Sequence, residues 1–195
     1  MGYTPQKKAL KKKQAAPTIF SRVQSRWLQK WPILFFVLGF AILMLLFYVT
    51  WLSDFSQDHI QPHIVSANAK ISSIILNIFG MKTTASQANL SSPSFAVSIA
   101  KGCDAMEAMA LFGAALLAFP AKWKFKFAGF FAGIAILFML NIIRVITLFL
   151  TGIYFPKAFE IMHVEVWQVL FILVALGLWI FWIKWTRREV PDAEN

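Results

Sequence analysis

The sequence predicts an all-α polytopic membrane protein with about four transmembrane helices, an outer interfacial helix and a small β element. Three observations carry that fold class. The 195-residue chain is 58% hydrophobic and holds 20 Phe and 8 Trp, more apolar surface than one soluble core of ordinary composition can bury. Its long apolar stretches approach the roughly 20 residues a helix needs to cross the hydrocarbon with its backbone polar groups satisfied internally. Its Lys and Arg residues cluster between those stretches on one side of the implied bilayer.

The first span runs from Pro32 to Leu52 without a charge, preceded by Trp27, Lys30 and Trp31 and followed by Asp54. Tyr48 to Trp51 fits a small-residue cleavage site poorly, so the segment reads as a retained helix behind a basic tail of residues 1–31. The second span begins near Cys103 and ends at Pro120, about a turn short, with Asp104 and Glu107 in its first turns. The third is Phe127 to Thr151, interrupted only by Asn141 and Arg144, and the fourth is about Val164 to Trp185. Trp179, Trp182 and Trp185 near its end suit the water–lipid boundary, where an amphipathic ring is most stable. A short tail, residues 186–195, follows.

With four spans, both termini and the Pro120 to Lys126 loop share one side, which carries fourteen of the 19 Lys and Arg residues. The opposite side carries Lys70, Lys82, Lys101 and Lys157, and Arg144 lies within a span. Both termini are therefore expected in the cytoplasm. The net charge of +10 needs no nucleic-acid partner, because a Lys-rich tail ahead of a spanning helix is a topology signal that also binds anionic lipid.

Residues 53–102 form the sizeable extracytoplasmic segment. Ile64, Val65, Ile71, Ile74, Ile75, Ile78 and Phe79 recur at three- and four-residue steps, predicting an amphipathic helix over about 64–80 that lies on the membrane rather than crossing it. A β element is expected over about 83–100, where Phe95-Ala96-Val97-Ser98-Ile99-Ala100 alternates large and small side chains as one strand of a hairpin does. Gly129 and Gly133 form a Gly-x-x-x-Gly in the third span and imply close helix packing.

Three reactive side chains fall at one depth of this topology. Cys103, the single cysteine, has no internal disulfide partner and sits where the outer segment becomes helix. A helix N-terminus there favours the thiolate and lowers a cysteine pKa; the alternative is a small core residue. Arg144, inside a span, faces a partner or a watery cavity, or else snorkels to the surface or forms an ion pair. Asn141, one turn away, is placed to orient it or to make a helix-packing contact. His163 opens the fourth span as a candidate proton carrier or an ordinary interfacial histidine. Nucleophile, base and oxyanion-stabilising cation are the parts that acyl transfer requires. Glu107 and Glu165 are supporting candidates, free to pair instead with Arg144 or a loop lysine. His59 and His63 have i, i+4 spacing but no further ligand cluster, and no metal or cofactor is expected.

Gly102-Cys103-Asp104-Ala105-Met106-Glu107-Ala108-Met109, Asn141-Ile142-Ile143-Arg144-Val145 and Phe159-Glu160-Ile161-Met162-His163 resemble, in order, the three reactive blocks of the exosortase and archaeosortase family of membrane cysteine transpeptidases. The resemblance covers roughly residues 95–185, within a catalytic core of 103–185, and the small size is most like the exosortase H branch. It implies cleavage of exported proteins bearing a short motif, a spanning helix and a basic tail at the C-terminus. Cys103 would form the acyl-enzyme, His163 would transfer protons and Arg144 would stabilise the oxyanion or thiolate. It also implies a bacterial inner membrane location with the site on the extracytoplasmic face. The chain departs from the family in Asp104-Ala105, where members often carry a small polar residue and glycine, and an aspartate beside the thiol opposes its ionisation. Two other readings fit the same residues: a non-enzymatic assembly or export protein with an Arg144–Glu107 ion pair, and a membrane acyltransferase using the same cysteine.

Overall fold

The structure, a computed structural model, describes residues 19–99 and 102–188, with side chains from Pro32 onward. Residues 1–18 of the expected basic tail, Ala100 and Lys101, and residues 189–195 lie outside the described residues. The chain divides into two compact units, residues 1–35 and 36–195. Of the first, the described part is helical from Ile19 and exposes Ile33, Leu34 and Phe35.

Helix α1 (Ile19–Trp51) begins well ahead of the expected Pro32 and carries that proline in its interior. After a π turn at Ser56–Ile60 the chain continues as α2 (Gln61–Ile78), then β1 (Thr84–Ser86), β2 (Asn89–Ser91) and β3 (Ala96–Ser98). The strands form an antiparallel sheet in the order β1-β2-β3, so the expected hairpin gains a third strand. The apolar remainder is α3 (Met106–Ala118), α4 (Trp123–Tyr154), the single-turn α5 (Phe159–Ile161) and α6 (Trp167–Arg188).

Among the described residues, three segments are long and apolar enough to cross a membrane: Pro32–Trp51, Trp123–Tyr154 and Pro156–Arg188. The second expected span, Cys103 to Pro120, is realised as α3, an apolar helix of 13 residues. At 1.5 Å per residue it is about 20 Å long, short of the roughly 30 Å hydrocarbon thickness. A short helix beside a long one brings the loop before α3 down the side of α4. Arg144 accordingly lies ten residues, about 15 Å, from the Tyr154 end of α4.

Two clusters hold the second unit together. In one, α3, α4 and α6 meet through Phe112, Leu116, Leu137, Phe171 and Trp182. The Gly-x-x-x-Gly of α4 makes that packing possible in an unexpected way. A Cβ at Gly129 would overlap the Trp182 indole, and one at Gly133 would overlap the Phe112 ring, so the glycines are sockets for aromatic side chains of α6 and α3. Trp182 is therefore a buried packing residue whose Nε1–H donates to the Phe125 carbonyl at 2.9 Å, not the boundary anchor its position near the helix end suggests. Lys126 is also drawn inward: its Nζ donates to the Leu117 carbonyl at 2.6 Å, satisfying the last turn of α3.

The second cluster joins α2 and the sheet to α4 through Val65, Ala69, Leu76, Leu90, Ile99, Val145 and Phe149. Helix α2 turns its small and polar face inward, burying Asn68, Ser72 and Ser73, while Ile74, Ile78 and Phe79 point outward. That inversion suits an apolar face presented to lipid. The end of α2 is fastened to the sheet by Asn77, whose Oδ1 accepts from the Thr83 backbone N–H at 2.7 Å and whose Nδ2 donates to the Thr83 carbonyl at 2.9 Å. The entry to β1 is thereby anchored.

Candidate active site

The turn that presents Cys103 is built from two left-handed residues. Gly102 has φ +88° and Ala105 has φ +61°, so the backbone reverses on both sides of Cys103-Asp104. Glycine adopts such values freely, whereas an L-alanine there is strained by about 1–2 kcal/mol. Asp104 is buried and its Oδ1 accepts from the Met106 N–H at 3.2 Å, satisfying one of the free donors at the start of α3.

Three elements converge on the sulfur. His163 Nε2 lies 2.9 Å from Cys103 Sγ. Arg144 Nη2 donates toward Sγ at 3.5 Å and toward the His163 carbonyl at 3.4 Å. Arg144 is only 8% exposed, and its Cζ stands 5.6 Å from the centre of the Phe171 ring. Arg144 thus does not snorkel to the surface, and among the described residues it pairs with no carboxylate and its buried Nε has no hydrogen-bond partner. The cation is held by aromatic and sulfur contacts, leaving donor capacity for another acceptor.

His163 sits in a π-helical segment, Met162–Val166, between α5 and α6. The wider turn lets the side chain leave the helix toward the cysteine, and such π bulges recur at functional sites. Behind the imidazole is a run of rings: Phe159 stacks on it at 5.8 Å, Phe95 meets Phe159 edge-on at 6.2 Å, and Phe149 meets Phe95 at 5.7 Å. A Cβ at Gly152 would overlap Phe95, so this glycine of α4 lets the run close. Phe159 and His163 share i, i+4 spacing in the sequence, a signal for that contact; nothing local links Phe95 to either.

The expectation of a lowered cysteine pKa is overturned. Burial pushes the thiol above its ordinary value; Arg144 pulls it down by less, and the Asp104 carboxylate raises it further. Cys103 also precedes α3 by three residues, so the helix N-terminus addresses the Asp104 carboxylate rather than the sulfur. Burial likewise raises the Asp104 carboxyl, against the lowering effects of its backbone hydrogen bonds and of Arg144. A protonated thiol donates Sγ–H to Nε2 when the ring proton is on Nδ1.

The supporting residues fare differently. Asn141 is fully buried, but neither its Oδ1 nor its Nδ2 has a hydrogen-bond partner, so it does not orient Arg144. Glu107 and Glu165 are exposed, in the first turn of α3 and in the π segment. His59 stacks on Phe55 at 5.0 Å. Among the described residues there is no group of three His, Cys, Asp or Glu side chains able to hold a metal ion. A cavity of about 130 Å³ opens beside the sulfur, lined on one side by Val97, Ser98 and Ile99 and on the other by Arg144, Val145, Leu148, Phe159 and His163.

A cysteine, a histidine and an arginine in mutual contact beside an apolar cleft are equipped for thiol-based acyl transfer. Comparison with known proteins gives a match to the family model described as transmembrane exosortase, over residues 25–181. No curated protein and no solved structure matches the chain. The matched range takes in all three converging residues and most of the 195-residue chain, and the chain therefore belongs to the transmembrane exosortase family, with a membrane transpeptidase-type role.

Proposed function

We propose that this protein is a membrane cysteine transpeptidase that cleaves the C-terminal sorting signals of exported proteins through an acyl-enzyme on Cys103. The observation that carries the reading is the 2.9 Å contact between Cys103 Sγ and His163 Nε2, with the buried Arg144 guanidinium touching both residues. Because burial holds the thiol protonated, activation is coupled to attack. As Sγ adds to the substrate carbonyl, its proton passes to His163 Nε2. The developing oxyanion is stabilised by Arg144. Collapse of the tetrahedral intermediate breaks the C–N bond, and the His163 proton leaves on the amine of the departing C-terminal fragment. An amine, hydroxyl or water then enters, gives its proton to His163 and takes the acyl group from sulfur.

The excess of Lys and Arg around the termini and the Pro120 to Lys126 loop supports an orientation with both termini cytoplasmic and the thiol toward the extracytoplasmic face of a bacterial inner membrane, the short α3 and the loop before it together making the fourth crossing. The assembly reading relies on an Arg144–Glu107 ion pair, whereas the Arg144 contacts are to Cys103, His163 and Phe171. The test is a secreted reporter fused to a C-terminal motif, spanning helix and basic tail taken from an exported protein of the same genome. Wild-type protein is expected to yield a reporter truncated at the motif, with a mass that identifies the acceptor. Cys103→Ala is expected to insert and yield none; processing by Cys103→Ala overturns the reading.

A further inference from the structure

The strand that leads to Cys103 leaves one edge unpaired. Ala96, Val97 and Ser98 of β3 face Ser91, Leu90 and Asn89 of β2, and the sheet ends at β3. The Ser92 N–H donates to the Phe95 carbonyl at 2.8 Å and the Ile99 N–H to the Ala88 carbonyl at 2.9 Å, so residues 95, 97 and 99 direct their backbone polar groups toward β2. By that alternation the N–H and C=O of Ala96 and Ser98 point away from the sheet. Both residues are exposed, and no described backbone group bonds to them. The sheet's other edge, β1, contributes nothing to the lining of the cavity at Cys103, and a free strand edge is a template for another extended chain.

This edge is continuous with the cleft of the reactive residues. Val97, Ser98 and Ile99 form one wall of the cavity whose other lining includes Cys103, Arg144 and His163. The cavity volume of about 130 Å³ accommodates a single side chain, not a folded segment or a helix. A peptide passing Cys103 must therefore be extended, and the strand edge that runs into the cavity wall offers it the outward backbone donors and acceptors of Ala96 and Ser98. Resting on the transpeptidase reading above, we propose that the extended segment of the substrate ahead of its transmembrane helix binds as a fourth strand on β3, with main-chain hydrogen bonds to Ala96 and Ser98 holding the scissile carbonyl at the sulfur. Affinity in such strand addition comes from the backbone and specificity from pockets for alternate side chains. Here the pocket is the apolar floor made by Val97, Val145, Leu148 and Phe159.

The register supplies a selective test. Proline at residue 96 or 98 deletes an outward N–H and leaves the bonds to β2 in place, and proline is tolerated on the open side of edge strands. Ser98→Pro and Ala96→Pro are each expected to slow reporter processing about tenfold or more, the loss of at least one charge-free hydrogen bond in the reacting complex. Alkylation of Cys103 by a small maleimide should stay within about twofold of wild type, reporting an intact site by the rate arithmetic of a fold-neutral change. Wild-type processing by both variants overturns the proposal. Should either variant lose maleimide reactivity, a proline scan of the reporter's extended segment decides. Sensitivity at every second position is expected, and uniform tolerance overturns strand addition. If wild-type protein itself makes no Cys103-dependent product while its thiol still reacts, the transpeptidase reading fails and takes this one with it.

Discussion

His163 Nε2 lies 2.9 Å from Cys103 Sγ although the two residues are 60 positions apart in the chain. The contact depends on two local distortions: the left-handed pair Gly102 and Ala105 that turns the cysteine inward, and the π segment that frees the histidine from its helix. Each distortion gives a separate handle on the site.

Removing the base leaves a buried, protonated thiol with nowhere to send its proton. His163→Ala is expected to slow reporter processing about 10²- to 10⁴-fold, while the protein still inserts and retains a titratable thiol. Intact-mass analysis of the reporter checks this. Near-wild-type processing would exclude proton transfer by His163.

The pH dependence follows from the burial of the sulfur. Since the folded-state thiol pKa is raised, the thiolate fraction at neutral pH is below that of a free cysteine, and maleimide alkylation should climb only above the ordinary thiol range. Asp104→Asn removes a charge that raises the thiol pKa and should move the alkylation profile to lower pH. Arg144→Ala removes the charge that opposes burial and should move it higher. Shifts in the opposite directions would contradict this assignment of causes.

Arginine is not replaceable by lysine at 144. One guanidinium nitrogen addresses both Sγ and the His163 carbonyl while the plane rests near Phe171, a geometry that a point charge on a flexible stem lacks. Arg144→Lys is expected to lower kcat about 10²- to 10³-fold, the range for losing a well-placed oxyanion donor. A lysine variant with normal kcat would place the oxyanion elsewhere.

Backbone strain at residue 105 is testable by size. Ala105→Val forces a β-branched side chain into a left-handed, buried position and should destabilise the protein by about 1–3 kcal/mol, whereas Ala105→Gly should not. Thermal unfolding in detergent measures both. Equal loss in the two variants would mean that the methyl group, not the backbone angle, is what matters.

The glycines of α4 are predicted to be intolerant for a packing reason. Gly133→Val must displace the Phe112 ring, and Gly152→Val must displace Phe95 and with it the rings behind His163. The first should lower stability by about 1–3 kcal/mol or more through overpacking. The second should lower processing as well as stability. Reporter kinetics set beside melting curves separate the two effects.

The apolar runs, the basic bias, the i, i+3, i+4 pattern of α2 and the alternation around Val97 are written in residue order, because a helix or strand repeats its environment at a fixed period. For the same reason Cys103, Arg144 and His163 stood out: each is costly or reactive in apolar surroundings. What the sequence could not supply was anything arising from contact between distant elements. The direction of the Cys103 pKa shift turns on how deeply the short α3 brings the loop beside α4. The inward roles of Trp182 and Lys126 turn on sockets and carbonyls offered by other helices. Asn141, one helical turn from Arg144, shares its neighbourhood but no hydrogen bond. The ring run from Phe149 through Phe95 and Phe159 to His163 joins α4, the residue before β3, α5 and the π segment. Periodicity constrains which face of an element is apolar; only packing in three dimensions decides what that face meets.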